Sequence, residues 1–315
     1  MTQVRLAEQR LGTTPTAPVC VIYNPASGRG RAKRGIEIQR KRVGPEHDFR
    51  STHCAGEAEM IAVKAIHEGF RKLIAAGGDG TVHEVANGIL RAGIPDVVFS
   101  VWPFGSANDY AFSLGVTGDP AQPRCERLVD VGSITADGGK QRYFVNGLGV
   151  GFNANVTVEA RKIKLLRGMP LYGLAILKAM VWRFQKPKMA VSFDDLTRET
   201  PTLALTVNLG QREGGFPLTP RADLSDGYFD TMHAGPVSRW DLLRHFPNMA
   251  AGTLPDNHPR LWLNRCRRVA VRCDEPLRIH LDGEFFCHPE DGFTSVNIDL
   301  VSRRLRVETA APASR

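Results

Sequence analysis

The residues best able to do chemistry lie in the run Gly77-Gly78-Asp79-Gly80-Thr81. An apolar run, 72–76, precedes it and an amphipathic run, 82–93, follows, so the glycines occupy a turn from strand to helix. Such a turn aims several backbone N–H groups and the positive helix end at one point, which suits an anion. Lacking a Cβ, Gly77, Gly78 and Gly80 let a phosphate approach the backbone. The carboxylate of Asp79 repels phosphate directly and fits if Mg2+ or its water shell lies between the two. Glycines chosen for turn geometry alone would also explain the run, but G-G-D-G-T in this setting favours the phosphate.

Two further loops follow the same logic. NPASGRGR (24–31) comes after the strand-like run 18–23, and PFGSAND (103–109) comes after 96–102. Loops at the carboxyl ends of parallel strands gather at one ligand site, so the three together make a nucleotide site. None has the Walker spacing. GLGVG (147–151) lacks the spacing of a dinucleotide fingerprint, and no helix is expected to open there. An acidic pair, Asp282 and Glu284, flanks Gly283. On a regular strand both would share a face, where a carboxylate can accept a hydroxyl proton. Asp282-Gly283 also fits a hairpin turn, as does Asp226-Gly227.

These groups need elements to hold them. The first half alternates strand and helix: 18–23 strand, 31–42 basic helix, 49–53 strand, and 55–70 helix with Met60, Ile61, Val63 and Ile66 among its apolar positions and a stop at Gly69. Thr81 and Glu84 form a capping-box pattern for the helix expected from Val82. The alternation implies a parallel sheet covered on both faces, with right-handed crossovers. From about 130 the strands follow one another, beginning with a hairpin at Asp137-Gly138-Gly139 and continuing through 188–193, 202–210, 228–234, 267–273, 278–286 and 293–300. That pattern implies an antiparallel sandwich, interrupted by helical stretches at 159–184 and 238–251. The expected fold class is α/β: a doubly wound α/β nucleotide-binding domain (18–130), then a C-terminal antiparallel β-sandwich domain (131–292). Residues 1–17 read as a disordered extension and 308–315 as a frayed tail.

Bulk properties set the outer limits. A chain of 315 residues suits two cores. A net charge of +8 favours anionic partners. The six cysteines form no CxxC pair and the first residues lack a signal-peptide core, which points to reduced thiols in the cytoplasm and no zinc site. The most apolar stretch, 169–184, is too short to cross a bilayer and contains Lys178. The wider stretch 161–188 mixes Lys and Arg with aromatic and aliphatic residues. It reads either as a surface for anionic lipid or as a core helix with charged ends. The basic run 260–272 lacks a nucleic-acid module, reads as a solvated strand face, and gives no reason to expect nucleic acid as a partner.

Six motifs, in order, resemble the diacylglycerol kinase catalytic family, which includes bacterial lipid kinases and the sphingosine and ceramide kinases. They are NPASG (24–28), GGDGTVHEVANGIL (77–90), PFGSANDYA (103–111), NGLGVGFNA (146–154), LSDGYFD (224–230) and LDGE (281–284). The resemblance implies a nucleotide domain followed by a β-sandwich, with residues from about 293 to 308 returning to the first domain. It implies an ATP- and Mg2+-dependent kinase that phosphorylates a hydroxyl of a diacylglycerol-like or sphingoid lipid. Such an enzyme is expected in the cytoplasm, at a peripheral anionic membrane surface. By the same resemblance, Asn24, Ser27 and Thr52 lie at the nucleotide. Gly77, Gly78, Asp79, Gly80, Thr81 and Glu84 form the phosphate loop. Gly105, Ser106 and Asn108 form the third loop, Ser106 standing where threonine is more usual. Asp282 and Glu284 supply the catalytic base, beside Asp79. Asp223, Asp226 and the carbonyl of Tyr228 match a second, structural Mg2+ site. The acceptor lipid and the oligomeric state stay open, a homodimer included. An NAD kinase shares the GGDGT loop, but PFGSAND and LDGE favour the lipid branch. A non-catalytic lipid-binding regulator of the same fold is opposed by the intact Asp79, Asp282 and Glu284.

Overall fold

The computed structural model describes residues 18–119, 121–163, 165–166, 168–255 and 257–311; the extension expected over 1–17 lies outside them. The first half contains strands β1 (Val19–Tyr23), β2 (His47–Ser51), β3 (Lys72–Gly77) and β4 (Val98–Pro103). Helices α1 (Arg31–Arg40), α2 (Glu57–His67) and α3 (Asp79–Ala92) alternate with them, and a short α4 (Asp109–Ser113) follows. The strands are parallel in the order β2-β1-β3-β4. Side-chain alternation explains why helices cover both faces. Cys20 and Ile22 of β1 join α2 and α3 in one core, while Val19 and Val21 meet Ile36 of α1 and Trp102 on the other side. The order reverses between β1 and β3, so the loops after these strands flank the switch point, where open α/β sheets bind ligands.

The second half runs β5 (Arg124–Ala136), β6 (Gln141–Phe144), β7 (Gly147–Gly151), α5 (Phe152–Lys162), α6 (Gly168–Trp182), β8 (Lys188–Phe193), β9 (Leu196–Pro201) and β10 (Ala204–Asn208). It continues with β11 (Phe229–Ala234), α7 (Arg239–Ala251), β12 (Leu261–Cys266), β13 (Arg268–Cys273), β14 (Ile279–Leu281), β15 (Glu284–Cys287) and β16 (Ser295–Ala310). One sheet has the order β12-β11-β10-β7-β14-β15 and is antiparallel throughout. It faces β13, β16, β5, β6 and β8 across a shared core: Phe144 of β6 stacks on Phe229 at 5.8 Å, and Val207 joins Val271 and Ile298. Strand β16 connects the halves. It pairs with β13 along its first part and with β5 along nearly its whole length, and Arg306 and Val307 pair in parallel with β4 on the other side. The fold class is the expected one, a wound parallel sheet followed by an antiparallel sandwich.

Several local expectations change. Helix α3 starts at Asp79, with Gly78 at its N-cap and no side-chain cap, so Thr81 and Glu84 form no capping box. The stretch 159–184 belongs to two helices, α5 and α6. Helix α5 opens directly after GLGVG, because Gly151 takes φ 77° and ψ −119°, a conformation open to glycine, which turns strand into helix in one step. The basic run 260–272 is two strands in different sheets. Glu308–Ala310, read as tail, are the end of β16, where Glu308 meets Lys72 and Arg124. Of the apolar positions expected in α2, Ile66 is buried and Met60 is 62% exposed; Ala58, Ala62 and Ala65 complete the buried face.

Candidate active site

The three small-residue loops meet through glycine. A Cβ on Gly105 would lie 2.5 Å from the Cα of Gly78, and one on Gly28 would lie 2.1 Å from the Phe104 carbonyl oxygen. Backbone against backbone leaves no room for any other residue. Arg31 donates from its guanidinium to the Gly105 carbonyl at 2.6 Å, tying the first loop to the third. Asn24 donates its N–H to the Ala76 carbonyl, and its side chain accepts from Ala26 N–H at 2.9 Å. Ser27 N–H closes the same turn on the Asn24 carbonyl, and buried Thr52 bonds to the Tyr23 carbonyl at the end of β1. Ser106 is exposed at the rim. Asn108, in the left-handed region at φ 56°, accepts from Gly105 N–H at 2.8 Å. The first bond inside α3 runs from Val82 N–H to the Gly78 carbonyl, so the preceding amides of the helix start have no helical partner.

Asp79 does not point outward. Its carboxylate accepts from Asn108 N–H at 3.0 Å and Asp109 N–H at 2.8 Å, locking the glycine loop to the start of α4. Asp109 in turn accepts from Gly214 and Gly215 N–H at 2.6 and 2.9 Å. Burial, and then the charge of the neighbouring acid, hold both carboxyls above the usual carboxylate range; Asp79 feels Asp282, and Asp109 feels Asp79.

Asp282 and Glu284 lie beside this loop and do different things. Asp282 (φ 51°) and Gly283 (φ 85°) form the tight turn joining β14 to β15, so the hairpin reading of Asp-Gly is correct. The Asp282 side chain is buried and accepts from Asn146 and Gly147 N–H, both at 2.9 Å, from Val145 N–H at 3.0 Å, and pairs with His83 Nδ1 at 2.8 Å. A carboxylate has about four acceptor sites, and all are taken. Burial raises this carboxyl, but the hydrogen bond and charge of His83 and the backbone donors outweigh it, and the net shift is downward. Glu284 pairs with Arg161 at 2.7 Å through one oxygen. Its other oxygen sits over the glycine loop, 2.6 Å from where a Cβ on Gly80 would be.

Behind these acids lies a cavity whose empty space, open mouth and solvent included, is about 1380 Å³. Asp79, Asp109, Glu213 and Asp282 line one end. Most of the remaining wall is apolar, with Phe152, Ile176, Leu203, Phe216, Met232 and Leu261, and it also carries Asp241, His245 and His258. The acidic end is the glycine-loop end, so one continuous space joins the phosphate side to an apolar chamber.

Two assignments by resemblance do not fit. Glu84 accepts from Gly56 and Ala58 N–H at 2.8 and 3.0 Å, so it caps α2 rather than the phosphate loop. Asp223 pairs with Arg127 at 2.8 Å, and Asp226 pairs with Arg265. The Asp226 side chain also accepts from Tyr228 N–H at 3.0 Å. Arginines supply the positive charge at both carboxylates. A structural Mg2+ at Asp223, Asp226 and Tyr228 does not suit this arrangement. An Mg2+ arriving with a nucleotide does fit at Asp79: each of its oxygens has one protein donor and spare acceptor capacity, and its raised affinity for a proton is relieved by a cation.

Sequence reasoning gave no role to His83, Glu213 and His280, and took Asp109 only as the end of the PFGSAND loop. His83 lies four residues after Asp79 on α3, hence on the same face, and His280 lies two before Asp282 on β14; those spacings were the available signals. Nothing local marked Glu213, which reaches the site by the fold alone.

Residues 18–141 match the family model described as the diacylglycerol kinase catalytic domain, and residues 146–299 match the YegS C-terminal NAD kinase beta sandwich-like domain. Among curated proteins, a diacylglycerol kinase of Bacillus subtilis (strain 168) is 29% identical over 277 residues, covering 84% of this chain and 89% of its own. One from Staphylococcus aureus (strain MRSA252) is 29% identical over 273 residues, covering 84% and 85%. A crystal structure described as a diacylglycerol kinase from Bacillus anthracis str. Sterne superposes with a TM-score of 0.69 at 19% identity, over 96% of this chain and 99% of that one. That likeness speaks to the fold.

Proposed function

The chain belongs to the diacylglycerol kinase catalytic family, a family of lipid kinases, and from that membership we propose that it transfers the γ-phosphoryl group of ATP, with Mg2+, to the hydroxyl of a diacylglycerol-like or sphingoid lipid. One observation carries the proposal: the acidic mouth at the glycine loop and the apolar chamber are a single cavity. A water-soluble acceptor has no use for that chamber, whereas an acyl chain fills it and leaves its hydroxyl among the acids.

The residues divide the work. The helix start at 79–81 and the loops at 24–31 and 103–109 bind the phosphates, as a helix N-terminus does. Asp79 holds Mg2+, which when bound neutralises charge on the phosphates. Asp282, with its acceptor sites filled, is the positioning residue: it fixes the turn and segment 145–147. Glu284, with one oxygen anchored on Arg161 and the other over Gly80, receives the proton of the lipid hydroxyl. The apolar wall favours this reading over NAD phosphorylation, since a dinucleotide would bury its polar groups there at a cost.

We further assign the membrane-facing surface to α6 and α7. Trp182 and Trp240 are each 80% exposed, and Arg239 donates to the Met180 carbonyl, which brings the two helices together. Leu177, Val181 and Leu243 are exposed beside them, while Leu171, Ala175, Ile176 and Ala179 face inward. Helix α6 therefore serves both readings of 161–188, core on one side and lipid contact on the other. Among the described residues no helix is long and apolar enough to cross a membrane.

The test is incubation with γ-labelled ATP, with and without Mg2+, against long-chain diacylglycerol, a sphingoid base and NAD. Label in a lipid product that requires Mg2+ is expected. Label in NADP and in no lipid would replace the proposal with the NAD kinase alternative.

A further inference from the structure

The carboxylate of Glu284 is held from one side by a residue outside every motif. Arg161 lies in the last turn of α5. One nitrogen of its guanidinium, Nη2, donates to Glu284 Oε2 at 2.7 Å and to the Gly283 carbonyl at 3.0 Å. The same guanidinium lies over the Phe285 ring, 4.7 Å from its centroid. Three consecutive residues, 283 to 285, thus meet one planar cation. Helix α5 gives that cation a fixed base. Ala154, Val156 and Ala160 are buried, and Phe152, where the helix opens, packs edge-on against Phe184 at 5.8 Å.

Stability does not account for this arrangement. The Arg161 and Glu284 side chains are 48% and 42% exposed, and ion pairs so open to water contribute little to folding. An arginine in a last turn also suits the negative end of a helix, but that role asks for no particular partner. What the contacts fix is direction. With Oε2 on Arg161, and the guanidinium itself held by the Gly283 carbonyl and the Phe285 ring, Oε1 is the oxygen that lies over the glycine loop at Gly80. Arginine suits the task because its planar fork stays charged and is pre-organised, where lysine offers a rotating point charge.

Resting on the lipid-kinase reading, we propose that Arg161 is the positioning residue of the proton transfer: it turns Glu284 so that Oε1 faces the phosphate loop, and Oε1 is the atom that takes the proton. As the lipid hydroxyl oxygen bonds to the γ-phosphorus, the bond from that phosphorus to ADP breaks and the hydroxyl proton passes to Oε1.

The experiment measures kcat and KM with Mg2+, ATP and diacylglycerol for Arg161→Ala, for Arg161→Lys, and for Arg161→Ala combined with Glu284→Gln. Misplacing a reacting group by an ångström costs up to about 100-fold, so Arg161→Ala should lower kcat about tenfold or more, with both KM values and the thermal midpoint unchanged. Arg161→Lys should keep part of the lost kcat, and added guanidinium should restore part of it to Arg161→Ala. Residues that act as one unit are not additive, so in the Glu284→Gln background Arg161→Ala should cost nothing more, and guanidinium should have no effect. An unchanged kcat in Arg161→Ala, a raised KM for ATP in its place, or the same loss in the Glu284→Gln background overturns the proposal. If the wild type phosphorylates no lipid, the kinase reading falls, and crystal structures of the wild type and Arg161→Ala decide the positioning alone. Glu284 Oε1 over Gly80 in the wild type and displaced in the variant supports it; the same carboxylate position in both overturns it.

Discussion

At the scale of single residues, the acidic pair separates into a structural and a chemical member. Asp282→Asn removes an acceptor that holds Val145 N–H and faces His83, so it should destabilise the protein by about 2–4 kcal/mol in urea unfolding at neutral pH. The sign with pH follows from its depressed pKa. The stabilisation is complete above the ordinary aspartate value of about 3.9 and is lost as pH falls through the lower folded value. The gap between wild type and Asp282→Asn should thus be constant above about pH 5 and shrink below about pH 4. Glu284→Gln, at a half-exposed position, should change stability by less than about 1 kcal/mol and lower kcat by at least about 100-fold. Loss of stability in Glu284→Gln with turnover intact would reverse the two roles.

At the scale of elements, the strand–loop–helix units were legible where hydrophobic period and glycine coincided, as at β3 and α3. Helix boundaries were less so. Capping was read from adjacent sequence, whereas Glu84 reaches across to cap α2 and Gly78 serves α3 without a side chain. Long-range partners have no local signature. That is also why the arginines opposite Asp223 and Asp226, from β5 and β12, were invisible. Glu84→Ala should cost about 1 kcal/mol of stability and leave the KM for ATP unchanged; a tenfold rise in that KM would return Glu84 to the phosphate loop. Gly80→Ala, by contrast, drives a Cβ into the Glu284 carboxylate and should lower turnover with α2 intact.

At the scale of the molecule, a wound parallel sheet brings three loops to its switch point, and β16 joins that sheet to the sandwich. The sandwich contributes the acidic turn and the cavity behind it, and α6 and α7 present two exposed tryptophans. The alternation of the first half and the strand run of the second announced this plan. The cavity did not show, because its walls are ordinary apolar residues indistinguishable from core until the packing leaves them apart. If α6 and α7 meet the bilayer, the double change Trp182→Ala and Trp240→Ala should weaken co-sedimentation with anionic vesicles by about tenfold or more while activity on monomeric short-chain acceptors stays as it was.

The union of phosphate loop and apolar chamber is tested most directly by acceptor chain length. The measurement is kcat/KM for a series of short-chain diacylglycerols, each below its critical micelle concentration, with ATP and Mg2+ saturating. Each methylene that enters the chamber removes apolar surface from water, worth about 0.8 kcal/mol, so kcat/KM should climb about fourfold per added carbon until the chamber is full. A value that stays flat along the series would mean that the acyl chain lies elsewhere and that the chamber behind Asp79 and Asp282 is not the acceptor site.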